Sequence, residues 1–185
     1  YMREYLAALT PLLDGEQVAA TGEVVSAMGA VEVAAPRPEL LVAALGPRML
    51  ELAGRVTDGT VTWMVGPKTL ADHIVPTIDR AASDADRPAP QVAVSLPVCV
   101  TDHPDGARER ASAEFLMYGT LPSYRAMMDR EGVAGPEDLA IIGGADQVAE
   151  RLDGIAAAGA TTFAASEFGN LDELAATRDL LVSLR

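Results

Sequence analysis

Basic residues are scarce in this chain. Fourteen lysines and arginines stand against 27 aspartates and glutamates, a formal net charge of −13 over 185 residues. Nucleic acid and anionic membranes both require a basic patch, so this balance argues against either as a partner. Cysteine is nearly absent: Cys99 stands alone, and no intrachain disulfide can form. A single thiol in an apolar run reads as core packing and suits a reducing cytosol, so a cytoplasmic protein is expected. No apolar run reaches the roughly 18 residues of a membrane span, and no signal peptide is visible. Tyr1 is not an initiator, and YMREYLAALTPLL enters directly into helical periodicity, so the chain is expected to begin in the middle of something larger.

Motifs that carry chemistry are equally thin. His73 and His103 are the two histidines. There is no H-E-x-x-H, no C-x-x-C and no carboxylate cluster with ligand spacing, so no metal site is expected. No G-x-S-x-G elbow supports a serine nucleophile. Gly143-Gly144 lacks the G-x-G-x-x-G frame of a dinucleotide fingerprint and reads as a turn, with the helix N-terminus after it as a weaker second anion site.

What is present is alternation. Of the residues, 49% are hydrophobic, enough for one domain with a real core, taken as 1–185. Tyr5, Leu6, Leu9, Leu12 and Leu13 make a helical stripe ended by Asp14-Gly15. Thr21-Gly22 is placed to turn a small hairpin, with Val18 and Val24-Val25 as β-formers, and Ala34 to Pro38 reads as a loop. Four β-type runs follow, at Leu40–Ala44, Thr60–Val65, Gln91–Thr101 and Thr161–Ser166, each succeeded by a helical pattern. Pro76 should kink its helix or start a new turn, and Pro97 should bring a bulge or an end to its strand. Leu171, Leu174, Leu181 and Leu184 outline a closing helix with Asn170 as N-cap. This is the pattern of an α/β domain with parallel strands. In a (β/α) barrel the carboxyl ends of the strands build the site. Four units are half of an eight-fold barrel, and such a half leaves two open strand edges and an unfilled centre.

The chain is organised around Pro38 to Pro67. Leu40–Ala44 is the short continuous apolar run of a parallel strand buried on both faces. Gly46-Pro47 breaks it, and Met49, Leu52, Ala53 and Val56 then mark one helix face. A strand that stops at Ala44 and a helix that starts near Pro47 leave the amides of Leu45, Gly46 and Arg48 unpaired. Free amides and the positive end of the helix dipole favour an anion, often phosphate. Arg48 could add a charge-assisted contact. The plain alternative is an ordinary βα turn with Arg48 solvated. Gly66-Pro67 repeats the same turn after the next strand. Three strand-end residues could line a substrate pocket: Trp63, Glu167 and Phe168. Each has a bland counterpart, core filling for the aromatics and a solvated loop acid for Glu167. Tyr124 and Arg125 suit a lid or an interface.

ALGPRMLELAGRVTDGTVTWMVGP resembles the bacterial luciferase-like monooxygenase superfamily, and its branch that uses the deazaflavin coenzyme F420 in particular. LPVCVTD, LPSYRAMMDREG and IIGGADQVAERL…GIAAAGAT fit the same pattern in the same order. The resemblance implies a TIM-barrel type (β/α)8 fold of which this chain holds about the last four units. It implies a cofactor phosphate and tail at Ala44, Leu45, Gly46, Pro47, Arg48 and Met49. It implies hydride transfer between F420 and a small organic substrate, with an FMN-dependent monooxygenase as the alternative. No catalytic acid or base is assigned, because the family's ring-facing residues come largely from the first four strands. A non-catalytic half barrel that pairs with another chain, or with a second copy of itself, is the reading from a different class.

Overall fold

Glu4 ties the first helix to the hairpin that follows it. This computed structural model describes residues 1–32 and 35–184. Helix α1 (Met2–Leu13) buries Leu6 and Ala8. Strands β1 (Val18–Thr21) and β2 (Ser26–Gly29) form an antiparallel hairpin. Val24 and Val25, expected as β-formers, lie in its connection instead. Their amides, with that of Glu23, donate to the Glu4 carboxylate at 2.9 to 3.3 Å, which holds them out of the ladder. Of the loop expected over Ala34 to Pro38, Ala34 lies outside the described residues, and 35–38 carry no regular structure.

Strand β3 (Leu41–Ala43) leads into helix α2 (Pro47–Val56) and strand β4 (Gly59–Trp63). Both strands are shorter than the sequence suggests. Leu40 gives its amide to the Asp58 carboxylate, and Met64 turns into the left-handed region at φ 55°. The buried face of α2 centres on Leu50, Ala53 and Gly54 rather than on Met49, Leu52 and Val56. Gly54 allows this: a Cβ there would stand 2.9 Å from Ala81 Cβ on a neighbouring helix. That neighbour begins as α3 (Pro67–Thr69), widens into a π turn (Leu70–Ile74) and continues as α4 (Val75–Ser83). The π turn directly precedes Pro76, where the sequence predicts the interruption.

Strand β5 (Gln91–Val100) is the centre of the sheet. After it come α5 (Pro104–Thr120), α6 (Pro122–Glu131), α7 (Pro136–Leu139), β6 (Ile141–Gly143), α8 (Ala145–Ala157), β7 (Thr162–Glu167) and α9 (Leu171–Ser183). All pairings in this sheet are parallel, and β3, β4, β5 and β7 stand side by side in that order. This is the partial barrel of four βα units. The fifth strand, β6, was not among the expected runs. It shares an edge of β5 with β4: β4 pairs as far as Ser95, and β6 from Val98 onward. Pro97 lies in the gap between them. Its strand neither ends nor loses β7, and the exchange of partners there takes the place of the expected bulge.

The two faces of the sheet differ. Val42, Thr60, Thr62, Val92 and Val94 lie under the helices and are buried. Leu41, Ala43, Val61 and Ser95 alternate with them, and all are at least partly exposed. So β3 is not buried on both faces as its apolar run suggested. Its second face belongs to the barrel centre, which no described residue fills. Among the described residues, no helix is long and apolar enough to cross a membrane.

Candidate functional site

The two glycine–proline turns lie at the same end of the sheet, after β3 and after β4. In the first, Gly46 is the N-cap of α2 at φ −82°, ψ 154°, ordinary extended backbone. Pro47 takes the first helical position, where no amide is needed. The Gly46 carbonyl accepts from the amides of Met49 (3.1 Å) and Leu50 (3.0 Å). The amides of Leu45, Gly46 and Arg48 have no partner among the described residues. A Cβ added to Gly46 would meet nothing within 4 Å, so the turn faces open space. Arg48 is exposed and joins no ion pair among the described residues.

The second turn has nearly the same geometry, with Gly66 at φ −87°, ψ 172°. It is filled. The Glu131 carboxylate accepts from the amides of Lys68 (3.2 Å) and Thr69 (2.7 Å). One turn therefore holds an anion from within the chain, while its twin presents the same kind of amides to solvent.

A cavity of about 340 Å³ opens beside the first turn. Ala43, Ala44, Leu45, Gly46 and Met49 form one wall, and Val61, Thr62, Trp63, Ser123 and Tyr124 the other. Thr62 Oγ1 and Trp63 Nε1 are fully buried beside it, with no hydrogen-bond partner among the described residues, and Thr62 points to the helix side of the sheet rather than into the cavity. Such orphans are uncommon in native interiors. Trp63 also packs edge-on against Phe115 (6.0 Å between centroids) and Tyr118 (5.7 Å). It both fills core and lines the cavity. His73, on the π turn, places Nε2 2.8 Å from the Leu45 carbonyl. A carbonyl only accepts, so Nε2 carries the proton.

The other expected pocket residues fall elsewhere. Glu167 shares its strand face with Phe163 and Ala165, on the helix side, and its carboxylate accepts from Arg178 Nε at 2.6 Å. Phe168 is 4% exposed and packs edge-on to Phe115. Neither reaches the cavity wall that Trp63 lines. Tyr124 does reach it, while Arg125 spends its guanidinium on Asp129 and on the carbonyls of Val133 and Ala134.

The two largest of the other cavities carry less chemistry. One, of about 560 Å³, borders Gly66 and Pro67 and contains the Glu131 plug. The other, of about 630 Å³, lies along Thr101 to His103 and Asn170 to Glu173. There the Glu173 carboxylate is consumed by Arg110 (2.7 Å), by the Thr101 hydroxyl (2.8 Å) and by the Asn170 amide (2.8 Å).

His73, Thr62 and Glu131 were not among the expected site residues. The repeated Gly-Pro pair was the available clue to Glu131, since two like turns invite comparison. A histidine six residues beyond the Gly66-Pro67 turn gave no signal by itself, because the π turn that aims it has no clear sequence mark.

Comparison with known proteins bears on the family and the fold. Residues 1–162 match the family described as luciferase-like monooxygenase. A 5,10-methylenetetrahydromethanopterin reductase from Methanolobus tindarius is 31% identical over 145 residues, which is 77% of this chain and 44% of that protein. The coenzyme F420 dependent tetrahydromethanopterin reductase from Methanopyrus kandleri superposes with a TM-score of 0.75 at 21% identity, over 97% of this chain and 60% of that one. The oxygenating constituent of 3,6-diketocamphane monooxygenase from Pseudomonas putida, in complex with FMN, gives a TM-score of 0.67 at 18% identity, again over 97% and 60%. At these identities the structural likeness is one of fold. The chain spans about half the length of the curated relatives it matches.

Proposed function

The chain belongs to the luciferase-like monooxygenase family, and on that premise we propose that its first glycine–proline turn seats the phosphate-bearing tail of coenzyme F420. The observation that carries this reading is the set of three unpartnered amides, at Leu45, Gly46 and Arg48, facing open space beside a largely apolar cavity. Three N–H groups and a helix dipole suit a phosphate anion. Arg48 adds a mobile positive charge at the rim. Ala43, Ala44, Met49 and Tyr124 keep water off the part of the ligand next to the phosphate. These residues fit the group in charge and donor chemistry.

Bound there, a reduced deazaflavin supplies a hydride for a small organic substrate, and the protein supplies orientation and a dry cavity. A deazaflavin does not activate oxygen as flavin does, so the proposed reaction is a reduction or dehydrogenation. FMN is the second reading: an FMN-bound enzyme shares the fold, and its phosphate makes the same demand on the turn. The bare sheet face requires further strands over it, and we assign these to additional βα units or to a second copy of the chain. The lone, buried Cys99 suits a reducing compartment, so we place the protein in the cytoplasm.

Fluorescence titration of the purified chain with F420 and with FMN tests the reading. Binding of either ligand supports the site, and the tighter one identifies the cofactor. Gly46→Glu puts a carboxylate in front of the free amides at a position with room for a side chain, so the variant should fold. Its affinity should fall by about tenfold or more. A folded Gly46→Glu protein that binds as tightly as the parent removes the turn from the site.

A further inference from the structure

We propose that His73 is a positioning residue for this turn: by holding the Leu45 carbonyl, it fixes the Gly46 N–H toward the ligand. The inference rests on the function proposed above. Its physical basis is the planarity of the peptide bond. In a trans peptide the C=O and the following N–H point in opposite directions. The Leu45–Gly46 peptide carries the Leu45 carbonyl that His73 Nε2 meets at 2.8 Å. Whatever holds that carbonyl on the protein side must turn the Gly46 N–H to the other side, where a Cβ would meet nothing within 4 Å. Gly46 has no side chain to resist rotation of this peptide, so without the histidine the unit is free to flip. A flipped peptide would present an oxygen where the phosphate sits.

Two further observations support the assignment. His73 is 7% exposed, so its ring is locked by packing rather than swinging in solvent. It stands on the π turn Leu70–Ile74, a local widening of the helix of a kind often found at functional sites.

The test compares ligands with and without phosphate. FMN and riboflavin, and likewise F420 and its phosphate-free riboflavin-like core, are titrated against the parent, His73→Phe and His73→Gln. His73→Phe fills the space without a donor. His73→Gln restores an N–H at about the same reach. In His73→Phe, affinity for the phosphate-bearing ligand should fall by about tenfold while that for its phosphate-free partner stays within about twofold. His73→Gln should recover most of the loss. Equal weakening of both ligands in His73→Phe, with no recovery in His73→Gln, means that the ring is mere packing and overturns the inference while leaving the site intact. Failure of the parent to bind any of the four ligands sinks the proposed function instead. Nitrogen-15 spectra of the parent histidine provide a reading that needs no ligand. A ring protonated at Nε2 agrees with the inference, and one protonated at Nδ1 alone overturns it.

Discussion

Glu131 accepts a hydrogen bond from the Thr69 amide at 2.7 Å, and so fills the second glycine–proline turn with an anion from the chain itself. The first turn, built alike, has no such occupant among the described residues. Replacing Glu131 by alanine strips two amides, those of Lys68 and Thr69, of their acceptor. We expect a loss of about 1–2 kcal/mol in stability, the usual cost of removing a helix cap. Urea denaturation measures it. Glu131→Gln keeps an acceptor oxygen and should lose less. No loss in either variant would show that solvent serves these amides equally well.

Thr62 makes the opposite case. Its hydroxyl is buried and unpartnered, so in the ligand-free protein it is a cost rather than an asset. Thr62→Val keeps the shape and removes the orphan. Thermal melting should show a protein as stable as the parent or more stable, by up to about 1 kcal/mol. A destabilised Thr62→Val would mean that the hydroxyl has a bond inside the folded chain.

Glu173 predicts a pH dependence. Burial alone would raise its pKa, but the Asn170 amide, the Thr101 hydroxyl and the Arg110 guanidinium together outweigh that and hold the carboxyl below its usual range. A carboxylate depressed in the folded state stabilises the fold above its unfolded pKa of about 4.3. That contribution is lost as pH falls through the lower, folded value. Glu173→Gln should therefore cost about 2–3 kcal/mol at neutral pH, since Arg110 loses its charged partner. The gap between variant and parent should narrow in acid, below about pH 4. Denaturation at a series of pH values checks both parts, and a gap that stays constant into acid would contradict the assignment.

The sheet was largely legible in the sequence because its signals are local. Apolar runs, Gly-Pro breaks and one helical face per unit are all written within a few residues. β6 escaped because three residues, Ile141 to Gly143, are too few to show a period. The face of α9 was misjudged for another reason. Leu171 and Leu184 are exposed, while Glu173 and Thr177 are buried, since a carboxylate held by three hydrogen-bonding partners can occupy a core position that leucine would otherwise take. At the turn, free amides and the glycine were readable from the order of strand and helix alone. What closed the twin turn and what held the Leu45 carbonyl came from residues 62 and 28 positions away, and such distances leave no local trace.

Strand β5 pairs with β4, β6 and β7, and the last two bond to no other strand of the sheet. Its ten residues therefore act as a keel. β3 can peel from its end and leave the remaining ladders intact, but if β5 slips, three ladders dissolve at once. Loosening at that margin is tolerable in a way that loosening in the middle is not. The turn proposed to seat the ligand hangs from β3, so the part of the molecule best placed to adjust to a guest is also the part whose movement endangers the rest least.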